Sequence, residues 1–380
     1  MKIVTIIGAR PQIIKAAAIS RAIANNYSHI NEVLVHTGQH YDENMSEVFF
    51  NELGIPRIDY NLQVGSGQHG KQTAKMIDGI EEILLSEKPS ALLVYGDTNS
   101  TLAGAIAAAK LHVPVVHVES GLRSFNKTMP EEINRIMCDH ASSILFTPTQ
   151  TGLLNLKNEG FDTAYTGRAD ANNPRVYLCG DVMYDNSLYF SDLSDEKSVL
   201  LKALNLNLGD FILSTIHRDN NTDNPQRLNA IFSALLAIIE ESGKKIVLPL
   251  HPRTKKMLPR VLDSQLFKLI QNHSQLIIIP PVSFLDVIAL EKTAQLVITD
   301  SGGVQKEAFF FKKPCLILRP ETEWIELVNN GNAIIVDADE SKIITGYRAL
   351  SSKTDFSFPE FYGDGHAAEF ICERMIEHLV

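Results

Sequence analysis

The chain has 380 residues, 44% of them hydrophobic and 21% charged, with a formal net charge of −10. That length exceeds one ordinary core, so two domains of roughly 150 to 200 residues are expected, in a soluble globular protein. The negative balance argues against a nucleic-acid or anionic-membrane partner, since either calls for a basic surface, and no apolar stretch approaches the ~20 residues of a membrane span.

Short apolar runs alternate with longer amphipathic ones, the signature of parallel sheets flanked by helices. The opening run Lys2-Ile3-Val4-Thr5-Ile6-Ile7 resembles a signal peptide in charge and apolarity, but it ends after about six residues in Gly-Ala-Arg-Pro and reads as a first strand. Further strands are expected at 31–36, 91–95, 113–118 and 143–147, with helices between them such as 12–25 and 73–86. The stretch 167–205 reads as irregular and polar, and the domain crossing is placed near its start, after residue 172. The pattern resumes with strands at 211–215, 245–250, 276–279, 296–299, 315–318 and 333–336, and a last amphipathic helix, 366–380, is expected to cross back to the first domain. The result is an α/β protein of two Rossmann-like, doubly wound domains, 1–172 and 173–365, with a cleft between them. Cys138, Cys179, Cys315 and Cys372 are isolated in sequence, which fits reduced thiols in a cytoplasm.

Polar signals gather where strands end, which is where open parallel sheets put their ligands. After the first strand, Pro11 opens a helix without losing a hydrogen bond, and Arg10 and Lys15 lie near its entry, where they could meet an anion or simply be solvated. Gly96-Asp97, Glu119, and Glu131-Glu132 put four carboxylates at loops or helix starts on one edge of the first domain. Crowding raises the proton affinity of at least one and suits acid/base chemistry near neutral pH. The plainer reading of any one is a helix cap or an ion pair with Arg123 or Arg135, and that reading is preferred for Glu132.

In the second half His217-Arg218 and His251-Pro252-Arg253 each follow a strand, a pairing suited to diphosphate oxygens. No histidine pair has helical metal-ligand spacing, so a metal site is not expected. Ser301-Gly302-Gly303 lets backbone amides close on a phosphate with a helix dipole behind them, and Glu307, one turn into that helix, suits a ribose diol. Gly65-Ser66-Gly67-Gln68-His69-Gly70 has the spacing of a dinucleotide fingerprint, but no strong strand precedes it, and a mobile substrate loop is the preferred reading.

Gly8-Ala9-Arg10-Pro11, His36-Thr37-Gly38-Gln39-His40, Gly96-Asp97-Thr98, His117 to Arg123, Pro130 to Arg135, His217-Arg218, Asp300 to Ala308 and Tyr362-Gly363-Asp364-Gly365 resemble, in this order, the motifs of the non-hydrolysing UDP-N-acetylglucosamine 2-epimerases. The resemblance covers nearly the whole chain. It implies a glycosyltransferase B fold, a UDP-sugar partner, no cofactor and no metal in the chemistry. The implied reaction removes the C2 proton as UDP leaves C1, giving a glycal to which UDP re-adds with C2 inverted. By motif position, Asp97, Glu119 and Glu131 correspond to the catalytic carboxylates and His217 to a histidine assisting UDP departure. Arg10, Lys15, Ser301, Gly302, Gly303 and Glu307 correspond to nucleotide-binding positions, with His251 and Arg319 as further candidate UDP contacts. A cytoplasmic enzyme of this size is expected to be a symmetric homodimer.

Some residues depart from the better-known members. The loop between Arg123 and Pro130 is shorter, Gln12 stands where Glu is usual, Asn220 falls where the His-Arg motif usually continues to Glu, and Glu323-Trp324 replaces Glu-Arg. The shortened loop and the Thr322-Glu323-Trp324 stretch resemble the branch acting on UDP-2,3-diacetamido-2,3-dideoxy-glucuronate in surface-polysaccharide synthesis, with UDP-N-acetylglucosamine as the alternative substrate. A C6 carboxylate needs a cation, and Lys127 in the altered loop is the candidate. The same loop leads to an expectation of roughly hyperbolic kinetics, without activation by substrate. A glycosyltransferase of the same fold and a non-catalytic sugar-nucleotide sensor are the more distant alternatives.

Overall fold

The computed structural model describes residues 1–39, 57–250 and 252–379. It divides into two units, Met1–Asn186 with Glu360–Val380, and Ser187–Pro359. Each is Rossmann-like, as both domains of the glycosyltransferase B type are.

The first unit is built on one sheet of β1 (Lys2–Ile7), β2 (Asn31–His36), β3 (Tyr60–Asn61), β4 (Ala91–Tyr95), β5 (Val115–Val118), β6 (Ile144–Thr147) and β7 (Arg175–Leu178). All its pairings are parallel, in the order β3-β2-β1-β4-β5-β6-β7. The central strands are nearly continuous apolar runs because helices cover both faces; all five residues of β4 are buried. Those helices include α1 (Arg10–Asn26), α2 (His69–Glu87), α3 (Asn99–Lys110) and α4 (Pro130–Ala141). Small residues bring α3 close to the sheet: a Cβ at Gly104 would come within 3.1 Å of Val94 and 3.2 Å of Ile6. The start of α3 therefore sits tightly against the ends of β1 and β4.

The second unit repeats the plan with β8 (Phe211–Thr215), β9 (Lys245–Pro249), β10 (Leu276–Ile279), β11 (Leu296–Thr299), β12 (Cys315–Ile317) and β13 (Ala333–Ile335), ordered β10-β9-β8-β11-β12-β13. Its core gathers Ile212, Leu235, Ile238, Ile246, Leu248 and Ile298. In each sheet the strand order reverses once, between β1 and β4 and between β8 and β11. At such a reversal neighbouring connections leave in opposite directions, which opens a crevice at the carboxyl ends of the strands.

The structure corrects the reading of 167–205 as irregular and of 173–365 as one domain. β7 pairs with β6, and a helix, Val182–Lys197, follows it, so the first unit runs on to Asn186. That helix escaped notice because much of its buried face is polar: Asp185, Asn186, Ser187 and Ser194 are all inside. Asn186 Nδ2 donates to the Ile14 carbonyl at 2.6 Å and its Oδ1 accepts from Arg21 at 3.1 Å, while Asp185 accepts from the Ala368 amide at 2.7 Å. A polar buried face leaves no hydrophobic period to read. The last helix, Ala367–Leu379, packs on α1 within the first unit. No described helix is long and apolar enough to cross a membrane.

Candidate active site

In the first unit the candidate residues surround the β1/β4 reversal. A Cβ at Gly8 would lie 2.1 Å from Ser100 Oγ and 2.3 Å from Thr37 Oγ1, so only glycine lets the turn after β2 and the start of α3 close on it. The amide of Gln12 is buried beside it. Its Oε1 accepts from the Gly8 and Ala9 amides at 2.9 and 3.2 Å, and its Nε2 donates to the Tyr95 carbonyl and Thr101 Oγ1 at 3.0 and 2.9 Å. A carboxylate at this position could make the first two bonds but not the one to the Tyr95 carbonyl, and could keep Thr101 only by taking the hydroxyl hydrogen that Thr101 gives to Tyr95. Arg10 is exposed at the first residue of α1.

Gly96 follows β4 with φ +62°, and a Cβ there would meet Glu119 Oε2 at 3.0 Å and Lys15 Nζ at 3.1 Å. The ion pair of Lys15 and Glu119 thus lies directly over this glycine. Lys15, read from sequence as a nucleotide contact, has a carboxylate of its own unit as partner. Glu119 holds φ +70°, a left-handed conformation that costs a non-glycine residue on the order of 1 kcal/mol or more. Next to it, Asp97 is paired with Arg135 Nη2 at 2.5 Å, and its carbonyl accepts from Asn134 at 2.9 Å. Burial pushes the Asp97 carboxyl above its ordinary range; Arg135 and Lys15 pull the other way, and the charge of Glu119 adds to the rise. Crowding of carboxylates therefore matters less here than the sequence reading supposed.

The four acidic residues separate into different environments. Glu132 is buried, accepts the amides of Ser124 and Phe125 at 2.9 Å each, and pairs with Arg135 Nη1 at 2.9 Å. Burial opposes its charge, but the amides and Arg135 outweigh that and hold it below the ordinary range. The pair with Arg135 is the one the preferred reading offered, and the two amide bonds also hold the loop. Glu131 is exposed in the first turn of α4, where the helix dipole favours a carboxylate, and it shares a face with Asn134 and Arg135. Lys127 is exposed on the loop that Glu132 holds, with no ion pair among the described residues. Beneath Gly96, His117 is fully buried between Asp139 and the Gly96 carbonyl. Neither histidine nor aspartate was singled out from sequence, although His117 stands in the same motif as Glu119.

In the second unit the β8/β11 reversal brings His217 to Asp300. Asp300 is fully buried and accepts from the backbone amides of His217 and Arg218 and from Asn221 Nδ2, each at 3.1 Å, and from His217 Nδ1 at 2.9 Å. Burial works against its charge, yet His217, Asn221 and the Arg218 amide keep it below the ordinary range. The imidazole is thus held through Nδ1 on a side chain that is 53% exposed. In sequence Asp300 is only the first residue of the motif that runs to Ala308; its contact with His217 follows from β8 lying beside β11.

Ser301 precedes the helix Gly302–Phe310. A Cβ at Gly302 would find nothing nearer than Arg319 at 3.7 Å, and one at Gly303 nothing nearer than Ser301 Oγ at 3.9 Å. Neither glycine has a positive φ. The protein itself would accept alanine at both positions, so packing and backbone conformation leave the two glycines unexplained. Glu307 lies against buried Glu291, whose carboxyl is pushed well above its ordinary range by burial and the Glu307 charge. Arg319 is bound by Glu323 through two bonds of 3.0 and 2.9 Å, and the Lys306 ammonium sits 4.1 Å from the centre of the Trp324 ring. His251 and His40 lie outside the described residues. Gly65 and Gly67 ahead of α2 and Gly70 in its first turn stand in open space, unlike a dinucleotide turn, and the loop is tied down by Gln72 Nε2 to the Gly65 carbonyl at 2.8 Å.

The UDP-N-acetylglucosamine 2-epimerase family model matches residues 22–376. The chain is 48% identical over 378 residues to the UDP-2,3-diacetamido-2,3-dideoxy-D-glucuronate 2-epimerase of Pseudomonas aeruginosa, covering 99% of both chains. It is 47% identical over 374 residues to a UDP-N-acetylglucosamine 2-epimerase homolog of Methanococcus maripaludis, covering 98% of this chain and 99% of the other. Among solved structures, the Methanocaldococcus jannaschii UDP-N-acetylglucosamine 2-epimerase in complex with UDP-N-acetylglucosamine and UDP superposes with a TM-score of 0.85 at 41% identity, over 99% of this chain and 100% of that one.

Proposed function

The chain belongs to the UDP-N-acetylglucosamine 2-epimerase family, and from that premise we propose that it inverts C2 of UDP-2,3-diacetamido-2,3-dideoxy-glucuronate. It is a non-hydrolysing UDP-sugar 2-epimerase, an isomerase acting on carbohydrates; the proposal concerns the sugar and the residues. The observation that carries the choice of sugar is Lys127: an exposed ammonium, outside any described ion pair, on a loop whose backbone is held by buried Glu132. A uronate supplies the anion that such a cation would meet. The 48% identity to the Pseudomonas aeruginosa enzyme supports the same choice. The rival is UDP-N-acetylglucosamine, favoured by the close superposition on the Methanocaldococcus jannaschii enzyme.

Asp97, with its proton affinity raised by burial, is suited to exchange a proton near neutral pH, and Glu119 and Glu131 are the other groups proposed to act at C2. His217, steadied by Asp300, is proposed to face the departing diphosphate, and Ser301, Gly302 and Gly303 to hold it on the amides of a helix start. Glu307 is proposed for the ribose diol, Arg10, Lys15 and Arg319 for anionic parts of the nucleotide sugar. Cytoplasmic placement and a homodimer complete the proposal. The test is incubation with each UDP-sugar in deuterated water, followed by NMR at C2: deuterium is expected at C2 of the diacetamido-glucuronate, with UDP retained. Exchange confined to UDP-N-acetylglucosamine would assign the rival substrate, and none on either would refute both.

A further inference from the structure

His117 is completely buried on β5, and both of its ring nitrogens meet acceptors: Nδ1 lies 2.7 Å from Asp139 Oδ1 and Nε2 lies 2.8 Å from the Gly96 carbonyl oxygen. A carboxylate and a carbonyl have no hydrogen to give, so each nitrogen must carry one, and the ring is an imidazolium. Burial alone would strip that charge, but Cys138 and Asp139 against the ring hold it protonated well above the ordinary range. Asp139 also accepts the Gly121 amide at 3.1 Å and pairs with Arg123 at 2.8 Å, and Arg123 in turn grips Glu159 through bonds of 2.6 and 2.7 Å. His117 and Arg123 balance Asp139 and Glu159. A neutral ring would leave one uncompensated carboxylate charge in this cluster.

The cluster bears directly on the proposed proton transfer. The Gly96 carbonyl and the Asp97 amide belong to one planar peptide group. On its other side Gly96 donates its own amide to the Val118 carbonyl at 3.0 Å. The glycine is thus gripped from both ends by β5, and Asp97 hangs from the plane that His117 fixes. Glu119 stands two residues beyond His117, just past the end of the same strand, in its left-handed conformation, with Lys15 over Gly96. We propose that His117 is a positioning residue for the epimerisation, a permanent buried imidazolium that sets the Gly96–Asp97 peptide plane and so keeps Asp97 aligned with Glu119. The positioning half of this inference rests on the epimerase reading; the charge of the ring does not.

Nitrogen NMR of the protein labelled at histidine, with the His117 signals identified by their loss in His117→Gln, should show both ring nitrogens protonated from about pH 6 to about pH 9. In Asp139→Asn the ring should instead lose a proton within that range, and turnover should fall as it does. Deuterium wash-in at C2, normalised to the fraction of protein that binds UDP, should drop about 30-fold or more in His117→Gln with KM within about threefold. A role confined to folding would lower the UDP-competent fraction and leave turnover per competent molecule intact. Either that result, or a neutral ring at neutral pH, overturns the proposal. If the wild-type protein exchanges no C2 hydrogen on any UDP-sugar, the epimerase reading fails and with it the positioning role, while the nitrogen spectrum still decides the charge.

Discussion

The two units put the same kind of place, the reversal point of a parallel sheet, to opposite uses. In the first, the crevice is crowded with charge held in pairs: Lys15 with Glu119, Arg135 with Asp97 and Glu132, His117 and Arg123 with Asp139. In the second, one buried carboxylate, Asp300, collects amides and an imidazole, and the turn beside it is left open around two glycines. Chemistry at a carbon acid needs groups whose protonation and direction are fixed in advance, so a network of buried pairs suits it. Holding a diphosphate needs free amides and room.

The widest gap between the units is expected in Asp97→Asn. Turnover should fall by about 10³-fold with UDP affinity nearly unchanged, by stopped C2 exchange and calorimetry, because the change removes the proposed proton carrier and leaves the unit proposed to hold the nucleotide untouched. Equal losses in both would erase the division of labour. Gly303→Ala should do the reverse: UDP binding weakened by about tenfold or more as a methyl takes phosphate space, while the melting midpoint holds or rises, since alanine favours a helix over glycine by up to ~1 kcal/mol. A fall in stability would mean that the glycine serves the fold after all. The pH profile sharpens the same contrast. Burial places Asp97 above the ordinary carboxylate range, and a base must be deprotonated to act, so kcat/KM should fall about tenfold per pH unit as pH drops through that raised value. Asp97→Asn should remove that limb. Lys127→Ala is the smallest change expected, about tenfold in turnover of the uronate with UDP binding intact; a similar loss of both would sink its assignment to the C6 carboxylate.

Much of this was legible in the residues themselves, and what was not has a physical cause. Strands such as 2–7, 31–36, 91–95 and 296–299 coincide with the structure because buried parallel strands are uninterrupted apolar runs. β7 and the helix Val182–Lys197 carry no legible hydrophobic period: β7 buries one residue, Val176, and the helix buries polar groups held in part by distant backbone. Asp97, Glu119 and His217 stood out as polar residues just past strands. Their supports did not: Asp139 sits in the last turns of α4, and its link to His117 exists only once β5 and α4 are packed. For Lys15 and Arg319, sequence shows a cation near a helix start or strand end but not the carboxylate that the fold sets against it.

The amide of Gln12 has a further consequence, for time scales of exchange with solvent. All four of its hydrogen-bonding positions are filled, two of them by the amides of Gly8 and Ala9. Turn amides ordinarily swap their hydrogens for deuterium early, through local openings that cost little. Here an opening must also release Tyr95 and Thr101, so these two positions in a turn should keep their hydrogens as long as the strands they join.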